Sequence, residues 1–181
     1  MGNFLKQMWN GSKNPKKLPV DVTEQEFTDL LSVTKQMRHK VAFLLAWGSG
    51  FRISEVIKLQ RNDIDLDKKQ IRINQGKGGK DRIVPTPRGF REKHLQYIPF
   101  DFKDRALQKA FRTYSEKSGL KKKKPSVHFH SLRHGFATQC VRKGVKLSMI
   151  QMMMGHSDIS TTGIYIQLNP EEALNEYREM F

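Results

Sequence analysis

An arginine inside an apolar helical arc restricts how this chain can fold more than any other feature. The stretch FHSLRHGFATQC covers residues 129–140. Ser131 has the character of a helix N-cap. At about 100° per residue, Leu132, Phe136, Ala137, Cys140 and Val141 then share one arc, with His134, Thr138, Gln139 and Arg142 opposite. Arg133 falls in the middle of the apolar arc. A guanidinium does not give up its proton in a protein, and burying one without a compensating anion is costly. The fold must therefore bring an anion to Arg133, from the chain or from a ligand.

Arg52 repeats the problem. In the helix expected over 52–59, Ile53, Val56, Ile57 and Leu59 define the apolar arc and Arg52 projects between Val56 and Leu59. Glu55, three residues on, sits at the edge of the arc, where it can hold the guanidinium in place. Two structural Arg–carboxylate pairs would satisfy both arginines separately. A phosphate shared between them is the alternative, because paired guanidinium forks grip the two non-bridging oxygens of a phosphodiester.

Charge favours the phosphate. The chain has 33 Lys and Arg against 18 Asp and Glu, a net charge of +15, over 181 residues. That length suits one domain with a short appendage, and the charge points to a polyanion, nucleic acid before a membrane surface. No apolar run approaches the roughly 20 residues that span a bilayer. The opening MGNFLKQMWNGSKNPKK lacks a signal-peptide apolar core, and Lys6 stands where a myristoylation motif needs Ser or Thr. The single cysteine, Cys140, permits no internal disulfide and suits a reducing cytoplasm.

The chain reads as mainly α with a small three-stranded antiparallel sheet. Residues 1–19 form a basic arm or linker. Thr23 and Glu26 make a capping box for a helix to about Met37. A buried helix over Val41–Trp47 ends at Gly48 and Gly50, and the short 52–59 helix follows. Strand-like pieces at 63–66, 70–74 and 81–85, with a turn at Gly76–Gly79, predict a meander. Helices follow over 102–118, 131–143, 147–154 and about 158–168. Asn169, Pro170 and Glu172 open a last helix over 170–180.

Other side chains could carry chemistry. Lys77 and Lys80 lie on the basic hairpin turn GKGGK, as solvated charges or with one of them protonating a departing oxygen; spacing does not separate the two. The turn lacks the P-loop spacing and precedes a strand, which argues against a nucleotide site. His130 and His134 have a zinc-helix spacing, but Ser131 stands where H-E-x-x-H needs Glu and no carboxylate completes a site, so no metal is expected. His130 and His156 read as phosphate donors or proton carriers. Tyr165 is either a half-buried core tyrosine or a nucleophile, and with a phenol pKa of about 10 it needs cationic neighbours for the second role.

Five blocks resemble, in order, the signature blocks of the tyrosine recombinases, the phage-integrase and Xer-like site-specific DNA recombinases. They are SGFRISEV (49–56), GKGGKDRIVP (76–85), FHSLRHGFAT (129–138), MGHSDISTT (154–162) and the following GIYIQL. The resemblance covers about 20–170, the family's catalytic domain. It implies that Arg52, Arg133 and His156 hold the scissile phosphate, with Glu55 the acidic position behind the first arginine. Lys77 protonates the leaving 5′ oxygen, His130 assists proton transfer, and Lys80 and Arg82 contact DNA. Tyr165 attacks to form a 3′-phosphotyrosyl link, which a 5′ hydroxyl of another strand reseals without metal, ATP or any other cofactor. The implied partner is double-stranded DNA carrying a specific recombination site, in the cytoplasm at the nucleoid. Helix 170–181 would exchange between protomers of a homotetramer through Leu174, Tyr177 and Phe181, or fold back on its own domain.

The chain departs from the family in two places. Members usually carry an N-terminal DNA-clamping domain, where residues 1–19 stand here, and Gln167 replaces a frequent histidine two residues after the tyrosine. A type IB topoisomerase-like enzyme shares the chemistry, and a non-catalytic DNA-binding regulator shares the basic surface. The Xer-like wording of the blocks argues against the first. The filling of all six catalytic positions argues against the second.

Overall fold

A computed structural model describes residues 19–74 and 81–155. Helix α1 (Glu24–Val33) opens with the capping box the sequence predicts: the Thr23 hydroxyl accepts from the Glu26 N–H, and the Glu26 carboxylate accepts from the Thr23 N–H at 2.9 Å. It stops short of the expected Met37. Thr34 turns extended and its hydroxyl donates to the Leu30 carbonyl at 2.7 Å, occupying the acceptor the next helical N–H would use. Helix α2 (Met37–Ser49) is the central element, with Val41, Ala42, Phe43, Leu45 and Ala46 all buried. Gly50 closes it at φ +71°, a left-handed conformation that favours glycine. Helix α3 (Ile53–Lys58) follows at once.

The sheet is the predicted meander: β1 (Ile64–Asp65), β2 (Gln70–Ile73) and β3 (Arg82–Pro85) pair antiparallel in the order β1-β2-β3, with Ile71 opposite Val84 and Ile73 opposite Arg82. A 3-10 helix over Glu92–Tyr97, not anticipated from sequence, leads towards α4 (Asp104–Lys117). The basic connector contains one helical turn, α5 (Leu120–Lys123). Helix α6 (His130–Arg142) begins one residue before the expected start. Phe129 takes the cap position, and the buried Ser131 hydroxyl accepts from the His128 N–H at 3.3 Å. Helix α7 (Leu147–Met154) ends at Gly155 with φ +60°. The helices expected over 158–168 and 170–180 lie outside the described residues.

Packing around α2 places the site. The Phe43 ring meets Phe111 of α4 edge-on at 5.7 Å and Phe129 at 6.1 Å, so α4 and the start of α6 share one aromatic core with α2. Phe27 stacks on Trp47 at 4.3 Å, and the Trp47 indole N–H donates to the Val22 carbonyl. Helix α6 crosses this region at Gly135. A Cβ there would stand 2.5 Å from the Val22 carbonyl oxygen, so any side chain would push α6 outward. A second apolar cluster, Phe136, Ala137 and Val141 with Ile150 and Met154, clamps α7 onto α6. The C-terminal end of α7 is thereby delivered against the arginines of α3 and α6.

Candidate active site

The site is built on Glu55. As the third residue of α3, it turns its carboxylate back to accept the Arg52 backbone N–H at 2.8 Å, a helix-start geometry set by sequence spacing. The same carboxylate accepts Arg52 Nη1 at 2.7 Å. From β3, Arg82 presents a bidentate fork to both oxygens, Nη1 at 2.9 Å and Nη2 at 2.8 Å. Arg133 Nη1, from α6, lies 3.9 Å away. One carboxylate therefore faces three guanidiniums, which leaves two positive charges unbalanced by it.

Backbone carbonyls complete the arrangement. Helix α7 ends with acceptor oxygens that have no helical partner. Arg82 Nε donates to Met153 O at 2.7 Å, Arg133 Nη2 to Met154 O, and Arg52 Nη2 to Gly155 O at 3.1 Å. Arg133 Nη1 also donates to Gly50 O at 2.5 Å. The partial negative charge of a helix C-terminus favours cations here. A buried guanidinium needs such acceptors, and Arg133 is only 1% exposed. This corrects the expectation that Arg52 and Arg133 stay unsatisfied until an outside anion arrives. The chain itself supplies backbone carbonyls and a shared carboxylate to both guanidiniums.

Burial and ion pairing set the acidity of Glu55 against each other. Burial raises its pKa, but the hydrogen bonds from Arg82 and the Arg52 backbone, with the Arg82 charge and the Arg52 side-chain bond, outweigh it and hold the carboxyl at about 2 instead of the ordinary 4.5. His130, at the start of α6, moves down to about 4. Burial is the largest cause, followed by the charges of His134, Arg133, His128 and Arg52. At neutral pH it is an uncharged imidazole. Its ring stands 5.0 Å from His134 and 6.3 Å from His128. Among the described residues, no group of His, Cys, Asp or Glu is arranged to hold a metal ion.

Arg52, with its side chain 18% exposed, opens on a cleft of about 570 Å³ lined also by Lys58, Arg72 and Asn74. His130 borders a different cleft, of about 470 Å³, with Phe111, Lys121 and His128. Lys77, Lys80, His156 and Tyr165 lie outside the described residues. Arg82, expected against DNA, is 8% exposed with its fork turned inward on Glu55, and β3 turns Ile83, 51% exposed, and Pro85 outward. The strand alternation that puts Val84 inside puts Arg82 there too. The Gly50, Met153, Met154 and Gly155 carbonyls were invisible to sequence reading, because a backbone acceptor leaves no mark in residue identity.

The model of the phage integrase family matches residues 21–98 and 101–172. The chain belongs to the phage integrase family. Relatives of this integrase-family chain include the tyrosine recombinase XerA of Pyrococcus horikoshii, 35% identical over 174 residues, covering 86% of this chain and 59% of that protein. The crystal structure of XerA recombinase superposes with a TM-score of 0.69 at 27% identity, over 93% of this chain and 66% of that one. XerH site-specific recombinase, solved bound to a palindromic difH substrate after cleavage, has the same fold. Its TM-score is 0.71 at 21% identity, covering 93% of this chain and 55% of that one. The integrase-family chain spans about three fifths of the length of the relatives it matches. No helix among its described residues is long and apolar enough to cross a membrane.

Proposed function

We propose that residues 20–169 are the catalytic unit of a site-specific DNA recombinase. The observation that carries this reading is that, among the described residues, the three guanidiniums of Arg52, Arg82 and Arg133 share one carboxylate, Glu55, a surplus of two, beside an open cleft. A phosphodiester brings one negative charge, and the five-coordinate state formed on attack at phosphorus carries two. A site whose fixed charge complements the second state stabilises it more than the ground state, which is what accelerates the step. The same surplus suits a phosphate far better than a neutral ligand.

In this reading the Tyr165 oxygen forms a bond to the scissile phosphorus and passes its proton to the His130 imidazole. The bond from phosphorus to the 5′ oxygen breaks, and that oxygen takes a proton from Lys77. A 3′-phosphotyrosyl link conserves the energy of the broken bond. The 5′ hydroxyl of a partner strand then attacks the same phosphorus, gives its proton to Lys77, joins the strands and releases Tyr165. Arg52, Arg133 and His156 hold the non-bridging oxygens, and Glu55 keeps Arg52 in register. His130, uncharged before attack, takes the Tyr165 proton and returns it when Tyr165 is released. Lys80 contacts the DNA backbone. The partner is duplex DNA with a defined exchange site, and helix 170–181 joins protomers of a homotetramer on it.

Incubation with a duplex carrying a candidate exchange site, EDTA present, tests the reading. A protein–DNA band that survives denaturation is expected from the wild type and absent from Tyr165→Phe. A covalent band retained by Tyr165→Phe removes that residue from the mechanism. Products relaxed in topology but never exchanged between sites favour a topoisomerase.

A further inference from the structure

Arg82 grips both oxygens of Glu55 with its fork yet lines neither of the two clefts described above. Its fork covers both carboxylate oxygens at 2.8 and 2.9 Å, and its Nε reaches Met153 O at 2.7 Å. It therefore joins three separate elements: β3, the start of α3 and the end of α7. A Cβ on Gly155 would lie 3.1 Å from Arg82 Cδ, so the left-handed turn that ends α7 fits against this side chain. The position also has an electrostatic consequence. Glu55 bonds both Arg52 and Arg82, and whichever guanidinium it neutralises is lost to a ligand.

We infer that Arg82 is a positioning residue that supplies the counter-charge for Glu55, so that the charge of Arg52 is left for the scissile phosphate. This deepens the recombinase reading and rests on it for the identity of the anion. Without Arg82, the carboxylate is left to Arg52 and, at 3.9 Å, Arg133, and the surplus among the described residues falls from two positive charges to one. Arg52 is then pulled toward Glu55 and away from the cleft. Met153 O loses its donor, so the end of α7, which also orients Arg52 and Arg133 through the next two carbonyls, loses one of its ties.

The experiment compares wild type, Arg82→Met and the double variant Arg82→Met/Glu55→Gln. The first measurement is the first-order rate of covalent capture on a nicked duplex at saturating DNA. The second is duplex affinity across a salt series. Arg82→Met is expected to slow capture by about 100-fold, the scale of losing one preorganised electrostatic group. Affinity should stay within about twofold and the salt slope should not change, because Arg82 contacts no phosphate. The double variant restores the surplus of two and is expected to recover about tenfold of the lost rate, in the range such charges command. A second core substitution that slows capture further would mean a merely structural role and overturn the inference. So would a salt slope shallower by about one, which marks a direct phosphate contact.

Carboxyl-carbon NMR of Glu55 in the free protein decides the matter without DNA. Its titration should move up from about 2 in Arg82→Met. A midpoint that stays put would show that Arg82 is not the counter-charge. Should the methionine variant not fold, Arg82→Lys serves. Its single ammonium cannot span both Glu55 oxygens and Met153 O, so capture should fall about tenfold at unchanged affinity. An unaltered rate contradicts the inference. A wild type that captures no DNA would overturn the recombinase reading instead, while the Glu55 titration still judges Arg82.

Discussion

Replacing Glu55 by glutamine removes the one carboxylate that three guanidiniums share, and the cost follows from its acidity. Glutamine has nearly the shape of the protonated side chain. The substitution therefore forfeits what ionised Glu55 gains over its neutral form in the folded protein. Holding the carboxyl at about 2 in place of 4.5 corresponds to about 3 kcal/mol at neutral pH. That agrees with the roughly 3–5 kcal/mol expected when one partner of a buried ion pair is deleted. The folded pKa is depressed, so this stability is fully present above about 4.5 and is lost as pH falls toward about 2. Urea unfolding of wild type and Glu55→Gln at several pH values measures it. The gap should be about 3 kcal/mol at pH ~7, a melting difference of about 6–12 °C, and should shrink to about 1 kcal/mol near pH ~3. A gap below about 1 kcal/mol at neutral pH, or one that ignores pH, would refute the shared-carboxylate account.

Three further outcomes follow from the same geometry. In the free protein, NMR should find His130 titrating near 4, well below the 6.5 of an ordinary imidazole, so that it is uncharged above about pH 5. A midpoint near 6.5 would remove the combined effect of burial and neighbouring cations. Gly135→Ala should destabilise the fold by about 1–3 kcal/mol, since its Cβ would stand 2.5 Å from the Val22 carbonyl oxygen. An unchanged melting temperature would mean that α6 can shift there freely. Affinity for duplex DNA should fall steeply with added salt, through counterion release, and a flat response would contradict a phosphate-dominated interface.

The architecture was legible because local signals agreed with one another. Thr23 and Glu26 marked the start of α1, Gly50 and Gly155 marked the ends of α2 and α7, and the change of period at 63–85 marked the meander. Helix α1 ended early through a choice that propensity does not encode, the Thr34 hydroxyl taking the Leu30 carbonyl. The inward placement of Arg133 was readable from helical periodicity, and Glu55 from its spacing; Arg52 caps α3 with an extended backbone, so the periodicity of the expected 52–59 helix did not place it. Arg82 was misread because in a strand of four residues with Ile83 and Val84 adjacent, alternation does not say which faces inward. The answer came from tertiary structure, where the end of α7 and Glu55 offer Arg82 acceptors on the inner side. The carbonyls around Arg133 were equally hidden, since they depend on how the ends of α2 and α7 meet and not on any side chain.

The most direct test of the central claim is Arg133→Ala assayed for duplex binding and for covalent capture side by side. A guanidinium that stabilises charge developing on the phosphate predicts capture slowed by about 100-fold or more, with affinity nearly intact. Equal losses in both would show that Arg133 only anchors the DNA backbone, and the charge-surplus account of this site would fall.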